Sequence, residues 1–278
     1  MTDISRILLT GCSSGIGYHC AKRLSELGYR VVASCRKHSD VARLNEQNIP
    51  TVHLDLSDSS LIEQGFKDAL ALLDGRIDAL FNNGAYGQTG ALEDLKTCDL
   101  KAQFESNFFG WHHLTQLVLK KMLAQGYGRI IQNSSVLGLA ALRFRGAYSA
   151  SKFALEGYTD TLRLELADTP IKISLIETGP INSQFRHNAK TVFLNTIDWQ
   201  SSRHRDSYQA TLKRLDSDKP LNPYTLEPEA VMQALLKALT QPLPKPRYYV
   251  TRASKFTGIA RRILPTRWLD KVLLKGGV

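Results

Sequence analysis

The fold of this chain is decided near its start, by the stretch Arg6-Ile7-Leu8-Leu9-Thr10-Gly11-Cys12-Ser13-Ser14-Gly15-Ile16-Gly17. Residues 6–10 are typical of a buried strand, and residues 18–27 have the apolar spacing of a helix. The glycines let the loop between them approach a pyrophosphate, which the N–H groups at the helix N-terminus attract. A plain glycine-rich turn is the alternative, disfavoured by this position between strand and helix. The predicted cofactor contacts are Gly11, Ser13, Ser14, Gly15, Ile16 and Gly17.

The rest of the chain continues this alternation of strand and helix. Further strands are predicted at residues 30–34, 51–55, 77–81, 128–134, 172–176 and 248–251, with helical patterns between them. This order predicts an α/β fold: a Rossmann-like, doubly wound parallel sheet with helices on both faces. Because the chain shows no repeat and no long linker, residues 1–278 are expected to form a single domain.

Composition and charge narrow the function classes. Hydrophobic residues make up 43% of the 278 residues, as in soluble globular proteins. The formal net charge of +10 comes with no nucleic-acid recognition motif, so no nucleic-acid partner is expected. The four cysteines form no close pair and the seven histidines form no metal-binding pattern, which favours reduced thiols and no metal. Without a signal-peptide pattern or an apolar run of about 18 residues, a cytoplasmic location is expected.

The residues that follow the second strand indicate which dinucleotide binds. A carboxylate there would accept the ribose hydroxyls of NAD, whereas Arg36 and Lys37 offer cations to a 2′-phosphate. NADP(H) is therefore the predicted cofactor, unless both cations belong to a solvated loop. Asp55, with Leu56 beside it, is expected at the adenine, although Asp55 could equally cap a helix beginning near Ser57.

A candidate catalytic pair lies further along the chain. Tyr148 and Lys152 are four residues apart at the start of a predicted helix, so both side chains share one helix face. A phenol titrates near pH ~10, and a neighbouring ammonium is expected to lower its pKa so that Tyr148 can act as an acid or base. Alone, this spacing is weak evidence, because surface helices contain it by chance.

Two further polar residues strengthen this interpretation. Ser135 follows the strand predicted at residues 128–134, at the sheet edge where ligands of open α/β sheets bind, and could hold a substrate oxygen. Ser134 is the competing candidate, and both serines could simply end the strand. Asn107 is an amide within an apolar helix, where an unpaired polar group would be costly. It could bind a water that leads to Lys152, or be a satisfied structural amide.

Taken together, these residues resemble the classical short-chain dehydrogenase/reductase family over nearly the whole chain. The matching elements are Thr10-Gly11-x-x-x-Gly15-x-Gly17, Asn82-Asn83-Gly84-Ala85, Asn107, Ser135, Tyr148-x-x-x-Lys152 and Gly179-Pro180-Ile181-x-Ser183. The resemblance implies that Asn107, Ser135, Tyr148 and Lys152 are a catalytic tetrad. It also implies that Lys152 holds the nicotinamide ribose, and that Tyr148, Asn83, Gly84, Pro180, Ile181 and Ser183 contact the cofactor.

Local matches are similar to the hydroxysteroid and retinol dehydrogenase branch, which acts on apolar alcohols and carbonyls. The resemblance implies an oxidoreductase that uses NADP or NAD, acts as a carbonyl reductase and is homo-oligomeric; Arg36 and Lys37 make NADP the predicted cofactor of the two. A catalytically silent dinucleotide sensor and an epimerase or dehydratase are the alternatives. The intact Ser135, Tyr148 and Lys152 disfavour the sensor, because a sensor needs only the dinucleotide contacts. One departure is Gly84-Ala85, where the family usually has alanine and then glycine, which leaves the local backbone open.

Two segments outside the motifs carry separate expectations. Residues 182–223, here called the lid segment, are polar and long for a connection, as functional lids are. Its apolar residues either face an apolar substrate or anchor the segment to the core: Phe185, Val192, Phe193, Leu194, Trp199 and Tyr208. Residues 252–278 form a basic amphipathic tail, which suggests either peripheral contact with an anionic membrane or packing on the domain or on a second copy.

Overall fold

A computed structural model describes residues 4–215 and 224–276. In these ranges the strands are β1 (Arg6–Leu9), β2 (Arg30–Cys35), β3 (Thr51–His53), β4 (Ala79–Asn82), β5 (Gly128–Ser135), β6 (Ile171–Thr178) and β7 (Arg247–Tyr249). They form one parallel sheet in the order β3-β2-β1-β4-β5-β6-β7. The strand order reverses beside β1, and this is the switch point at which open α/β sheets bind ligands. The predicted fold class is confirmed.

Helices connect the strands and cover both faces of the sheet. They are α1 (Gly15–Glu26), α2 (His38–Glu46), α3 (Ser59–Leu72), α4 (Thr97–Phe104), α5 (Gly110–Gln125), α6 (Gly146–Glu165), α7 (Phe185–Thr196), α8 (Arg205–Leu215), α9 (Glu229–Thr240), α10 (Arg252–Ile263) and α11 (Thr266–Gly276). A π-helical turn, Glu105–Phe109, joins α4 to α5, and a short 3₁₀ turn, Val136–Gly138, follows β5.

Each face of the sheet has its own hydrophobic core. Ile7 and Leu9 of β1 pack with α1 and α9 on one face, whereas Leu8 packs with α3, α5 and α6 on the other. Both faces of the strands are therefore buried, which is why the strands read as continuous apolar runs in the sequence. Cys12, Cys20 and Cys35 are buried free thiols, as expected.

Two details differ from the sequence-based expectations. Helix α3 begins at Ser59 rather than near Ser57, because Asp58 is its N-cap and accepts hydrogen bonds from the N–H groups of Ser60 and Leu61. The lid segment contains two helices, α7 and α8, despite its weak periodicity; residues 216–223 of that segment lie outside the described residues.

Candidate active site

A cavity of about 810 Å³ opens at the carboxyl ends of β1, β4, β5 and β6. Most of the predicted site residues line it: Gly11, Ser13, Ser14, Gly15, Ile16, Asn83, Gly84, Ser135, Tyr148, Lys152, Pro180, Ile181 and Ser183. The predicted residues that do not line it are Gly17, Arg36, Lys37, Asp55, Leu56 and Asn107. One elongated space therefore joins the glycine loop to the predicted catalytic pair.

The glycine loop requires glycine for two physical reasons. Gly11 and Gly15 have φ angles of +68° and +56°, a region that other L-residues rarely adopt. A Cβ at Gly11 would lie 2.4 Å from the Cα of Gly84, and a Cβ at Gly17 would lie 2.2 Å from the carbonyl oxygen of Gly11. Gly17 thus permits close backbone packing rather than lining the cavity.

The N-terminus of α1 is built to receive an anion. Its N-cap, Ser14, lines the cavity and makes no side-chain capping hydrogen bond to any described residue. The first N–H groups of a helix have no partner within the helix and carry partial positive charge. A dinucleotide pyrophosphate fits this terminus, since it would supply the missing acceptors.

The loop after β4 explains the unusual position of its glycine. The hydroxyl of Thr10 accepts hydrogen bonds from the N–H groups of Asn83 and Gly84, each at 2.9 Å, and Trp111 Nε1 donates to the carbonyl oxygen of Gly84 at 2.7 Å. A Cβ at position 84 would lie 2.9 Å from Leu56 Cδ1. The absence of a side chain at position 84 leaves room for Leu56, which supports this loop from outside the cavity.

The hydroxyls of Tyr148 and Ser135 meet at one end of the cavity. Tyr148 lies in the first turn of α6 and is 9% exposed, and its side chain lies close enough to Ser135, at the end of β5, for the serine to oppose the rise of the tyrosine pKa. Ser134 instead hydrogen-bonds Glu156 on the buried side. Ser135 is accordingly the serine that the structure places beside Tyr148.

Burial sets the pKa of both members of the predicted catalytic pair. Burial raises the pKa of Tyr148 to about 12, partly opposed by Ser135 and by the charge of Arg145. Burial also lowers the pKa of Lys152 to about 7, partly opposed by Glu156 and Glu177. The expectation that Lys152 lowers the pKa of Tyr148 was wrong for this structure, because desolvation of the phenolate dominates. At neutral pH Tyr148 is a protonated phenol.

Lys152 is held in one position by its neighbours. Its Nζ donates to the carbonyl oxygen of Asn133 at 2.8 Å, and it lies 4.2 Å from the centre of the Trp111 ring in a cation–π contact. The same Nζ lies 5.8 Å from the centre of the Tyr148 ring, and the residue is 1% exposed. The ammonium is thus fixed beside the phenol without a direct bond to it.

Asn107 lies in the π-helical turn and is fully buried. Its Oδ1 accepts from the N–H of Tyr86 at 3.1 Å, and its Nδ2 donates to the carbonyl oxygen of Tyr86 at 2.9 Å. The structure therefore favours the interpretation of Asn107 as a satisfied structural amide, because its side chain fixes the loop that follows Gly84.

A group of charged residues behind Lys152 was not predicted from the sequence. Arg247 of β7 binds Glu156 Oε2 at 3.0 Å and Asp160 Oδ2 at 2.7 Å, and its Nε lies 3.5 Å from Glu177 Oε1. Glu177 is fully buried at the end of β6, and burial, together with Glu156, raises its pKa to about 9. Glu177, which follows the apolar residues Leu175 and Ile176 in a predicted buried strand, is the signal that could have revealed the group.

The cations near the end of β2, where the sequence predicts the adenosine part of the cofactor to bind, differ in part from the prediction. Arg36 and Lys37 are exposed and lie outside the cavity lining. Arg43 of α2, which the sequence did not single out, donates from Nη2 to the carbonyl oxygen of Ser13 at 2.6 Å and to Asp40 Oδ1 at 2.9 Å. Three cations therefore lie around the end of β2, one of them in contact with the glycine loop.

Asp55 hydrogen-bonds within its own turn. Its Oδ1 accepts from the N–H of Ser57 at 2.9 Å and from the hydroxyl of Ser57 at 2.7 Å. The alternative that it caps a helix at Ser57 was wrong, because Asp58 caps α3.

The loop after β6 closes the other side of the cavity. Thr178 Oγ1 donates to the carbonyl oxygen of Ser134 at 2.8 Å, tying the ends of β6 and β5 together. The carbonyl oxygen of Pro180 accepts from the N–H of Leu226 at 3.1 Å, and the N–H of Asn182 donates back to Leu226 at 2.8 Å. The returning chain thereby fixes the residues predicted to contact the nicotinamide.

Some apolar residues of the lid segment face the cavity, and others anchor the segment to the core. The Phe185 ring packs edge-on against Tyr148 with centres 5.3 Å apart, and Phe193 also lines the cavity. Trp199 lies outside the cavity lining and packs against a hydrophobic cluster that includes Phe193 and Tyr208. Tyr208 does both, since it lines the cavity while its hydroxyl donates to Asp94 Oδ2 at 2.6 Å. Val192 is partly buried and Leu194 is 47% exposed, and neither lines the cavity.

Comparisons with known proteins agree with this geometry. Residues 5–192 match the family model described as short chain dehydrogenase. The chain is 39% identical over 273 residues to an uncharacterized oxidoreductase, YbbO, of Escherichia coli K12, covering 96% of this chain and 93% of that protein. It is 32% identical over 260 residues to human 17-beta-hydroxysteroid dehydrogenase type 1, covering 88% and 77% respectively.

A solved structure extends the comparison to the fold. A short chain dehydrogenase/reductase from Burkholderia phymatum, in complex with NAD, aligns with a TM-score of 0.78 over 99% of this chain and 97% of that chain. At 22% sequence identity this likeness shows the fold alone.

Proposed function

The chain belongs to the short-chain dehydrogenase family, and on this premise we propose that it is an NADP-dependent reductase of apolar aldehydes and ketones. The observation that carries the proposal is the Tyr148–Ser135 hydroxyl pair in the cavity, with Lys152 buried directly behind it. A dinucleotide sensor would need the glycine loop but would have no use for this pair.

The two hydroxyls are assigned different roles at the substrate oxygen. Ser135 donates a hydrogen bond that positions the carbonyl oxygen, and Tyr148 donates the proton that converts it to a hydroxyl. Because burial keeps Tyr148 protonated at neutral pH, it suits the direction of carbonyl reduction. Bound NADPH would supply the hydride that reduces the carbonyl carbon.

Lys152 is assigned to two tasks. Its amino group, held by Asn133 and Trp111, lies close enough that its protonated form would stabilise the phenolate that remains after proton transfer. It also fits the ribose contact that the family resemblance implies, since it lines the cavity beside Asn83. Asn107 is assigned a supporting role, through the loop that it fixes at Tyr86.

The predicted cofactor contacts support a dinucleotide in an extended arrangement. The glycine loop and the N-terminus of α1 would hold the pyrophosphate, and residues 180–183 would hold the nicotinamide. Arg36, Lys37 and Arg43 support the choice of NADP over NAD, because these cations lie around the end of β2, where the sequence predicts the 2′-phosphate to bind.

The lining of the cavity supports an apolar substrate. Phe185 packs on Tyr148, and Phe193 and Leu212 of the lid segment line the same space. A long or polycyclic apolar carbonyl compound would be covered by these side chains, which also shield the proton transfer from water. We propose that the lid segment performs this covering.

The proposal is tested by assaying NADPH oxidation with a panel of aliphatic aldehydes, retinoid aldehydes and steroid ketones. We expect turnover with apolar members and little with short polar carbonyls of the same reactivity. Tight NADPH binding without net oxidation on the whole panel would contradict the reductase and favour the sensor or an epimerase.

A further inference from the structure

Helix α10 packs on the protein through its small residues and leaves its large apolar residues exposed. Its small residues are buried while its large apolar residues face outward: Ser254, Thr257, Gly258 and Ala260 are buried, and Phe256, Ile259 and Ile263 are 60%, 61% and 72% exposed. A surface helix normally buries its apolar stripe against the core. The stripe of α10 has no cover among the residues that the structure describes.

The outward stripe is continuous along the helix. Residues 256, 259 and 263 are spaced by three and four positions, which places them on one side. Helix α11 adds Trp268 and Val272, again four residues apart, at 67% and 42% exposure. These five exposed side chains, three on α10 and two on α11, are together called the apolar patch.

Basic residues surround this apolar patch. The segment 252–278 contains seven lysines and arginines and a single acidic residue, Asp270. Those that the structure shows exposed are Arg252, Lys255, Arg261, Arg262, Arg267 and Lys271; the side chain of Lys275 lies outside the described residues. We call the apolar patch, together with these exposed cations, the C-terminal surface.

Several contacts fix helix α10, which carries most of the apolar patch, to the rest of the protein. Thr251 caps α10 in a reciprocal capping box with Ser254. Arg261 donates to the carbonyl oxygen of Leu139 at 2.7 Å and lies over the Phe153 ring at 4.3 Å. Helix α10 therefore packs directly beside the turn that follows Ser135, and its outward face is held in place by these contacts.

We propose that the C-terminal surface binds the face of an anionic lipid bilayer. Apolar side chains would enter the headgroup region while the surrounding cations contact anionic headgroups. Trp268 is the residue type enriched at such interfaces. Among the helices that the structure describes, none has the length and apolar character of a membrane span.

Charge decides between a bilayer and a second copy of the chain. In a two-fold contact the same surface lies on both subunits, so the cations of one C-terminal surface would face those of the other. In a chain of net charge +10, that repulsion disfavours self-association through this face. An anionic bilayer removes the repulsion. On the proposed function, such docking would also bring the substrate pocket beside the phase in which apolar carbonyls dissolve.

The test is co-sedimentation of the full chain with phosphatidylcholine vesicles that contain or lack phosphatidylglycerol. The apolar variant is Phe256→Ser/Ile259→Ser/Ile263→Ser, and the charge variant is Lys255→Glu/Arg262→Glu/Lys271→Glu. A matched control, Leu164→Ser/Leu243→Ser, removes apolar side chains that are 73% and 80% exposed elsewhere. Circular dichroism and melting temperature establish that each variant is folded.

We expect the parent and the control to bind only the anionic vesicles, and both C-terminal variants to lose at least about tenfold in binding. Binding that is equal on neutral vesicles, or unchanged in the apolar variant, overturns the proposal. A parent dimer that becomes monomeric in the apolar variant, measured by sedimentation velocity without lipid, also overturns it and assigns the surface to a second copy. None of these readouts depends on catalysis, so the proposed function is tested separately.

Discussion

Glu177 is expected to make the stability of this protein fall as the pH rises, and Glu177→Gln should remove that dependence. The carboxyl is fully buried beside Glu156, and burial raises its pKa from 4.5 to about 9. Between these two values the folded chain retains a proton that the unfolded chain has released. The contribution of this group is therefore fully present below pH ~4.5 and is lost as the pH rises toward ~9.

The size of the effect follows from the pKa difference. At about 1.4 kcal/mol per pH unit, raising the pH from 4.5 to 7 through this group costs on the order of 3 kcal/mol of unfolding free energy. Glutamine stays neutral throughout this pH range. The variant should consequently gain stability relative to the parent by up to about 1.4 kcal/mol per pH unit above pH ~4.5, and be similar to it near pH 4.5.

The assay is urea unfolding of parent and variant from pH 5 to 9, with Glu46→Gln, an exposed glutamate on α2, as the matched control. The difference between Glu177→Gln and the parent should grow with pH, while the control follows the parent throughout. A constant difference across this range would show that Glu177 is ionised in the folded protein and would refute the reasoning.

Other predictions concern the cofactor, the lid segment and the substrate. Arg36→Asp should swing kcat/KM for NADP relative to NAD by roughly ten- to a hundredfold toward NAD, with Lys37 retaining part of the preference; an unchanged ratio would show that Arg36 makes no phosphate contact. Tyr208→Phe removes hydrogen bonds to Asp94 and to the Ala91 N–H and should cost about 1–3 kcal/mol in urea unfolding, and a loss below about 0.5 kcal/mol would contradict this. Phe185→Ala should raise KM for an apolar carbonyl by about tenfold while NADPH affinity stays unchanged, and an equal loss for both would place Phe185 at the cofactor instead.

The parts of the fold that could be predicted from the sequence are those that depend on patterns within short continuous segments. The glycine loop follows β1 and opens α1, and the buried strands are short runs of apolar residues, so their order and positions were readable. The spacing of Tyr148 and Lys152 also survives in the structure, because a single helix carries both residues.

What escaped prediction depends on partners far apart in the chain. Glu156, Glu177 and Arg247 come from α6, β6 and β7 and meet only when the sheet is assembled. The partner of Asn107 is the backbone of Tyr86, which carries no sequence signal. The pKa of Tyr148 was misjudged for a related reason, since the burial that raises it comes from the whole fold and outweighs the neighbour visible in the sequence.

The central claim, that Tyr148 donates the proton to a carbonyl oxygen, is tested most directly by Tyr148→Phe. The substitution removes one hydroxyl and keeps the ring that packs against Phe185. We measure kcat for NADPH-dependent reduction of the best substrate, together with NADPH affinity by fluorescence titration. We expect kcat of the variant to fall at least ~100-fold while its NADPH affinity stays within a few-fold of the parent. A variant that retains kcat within a few-fold would contradict it.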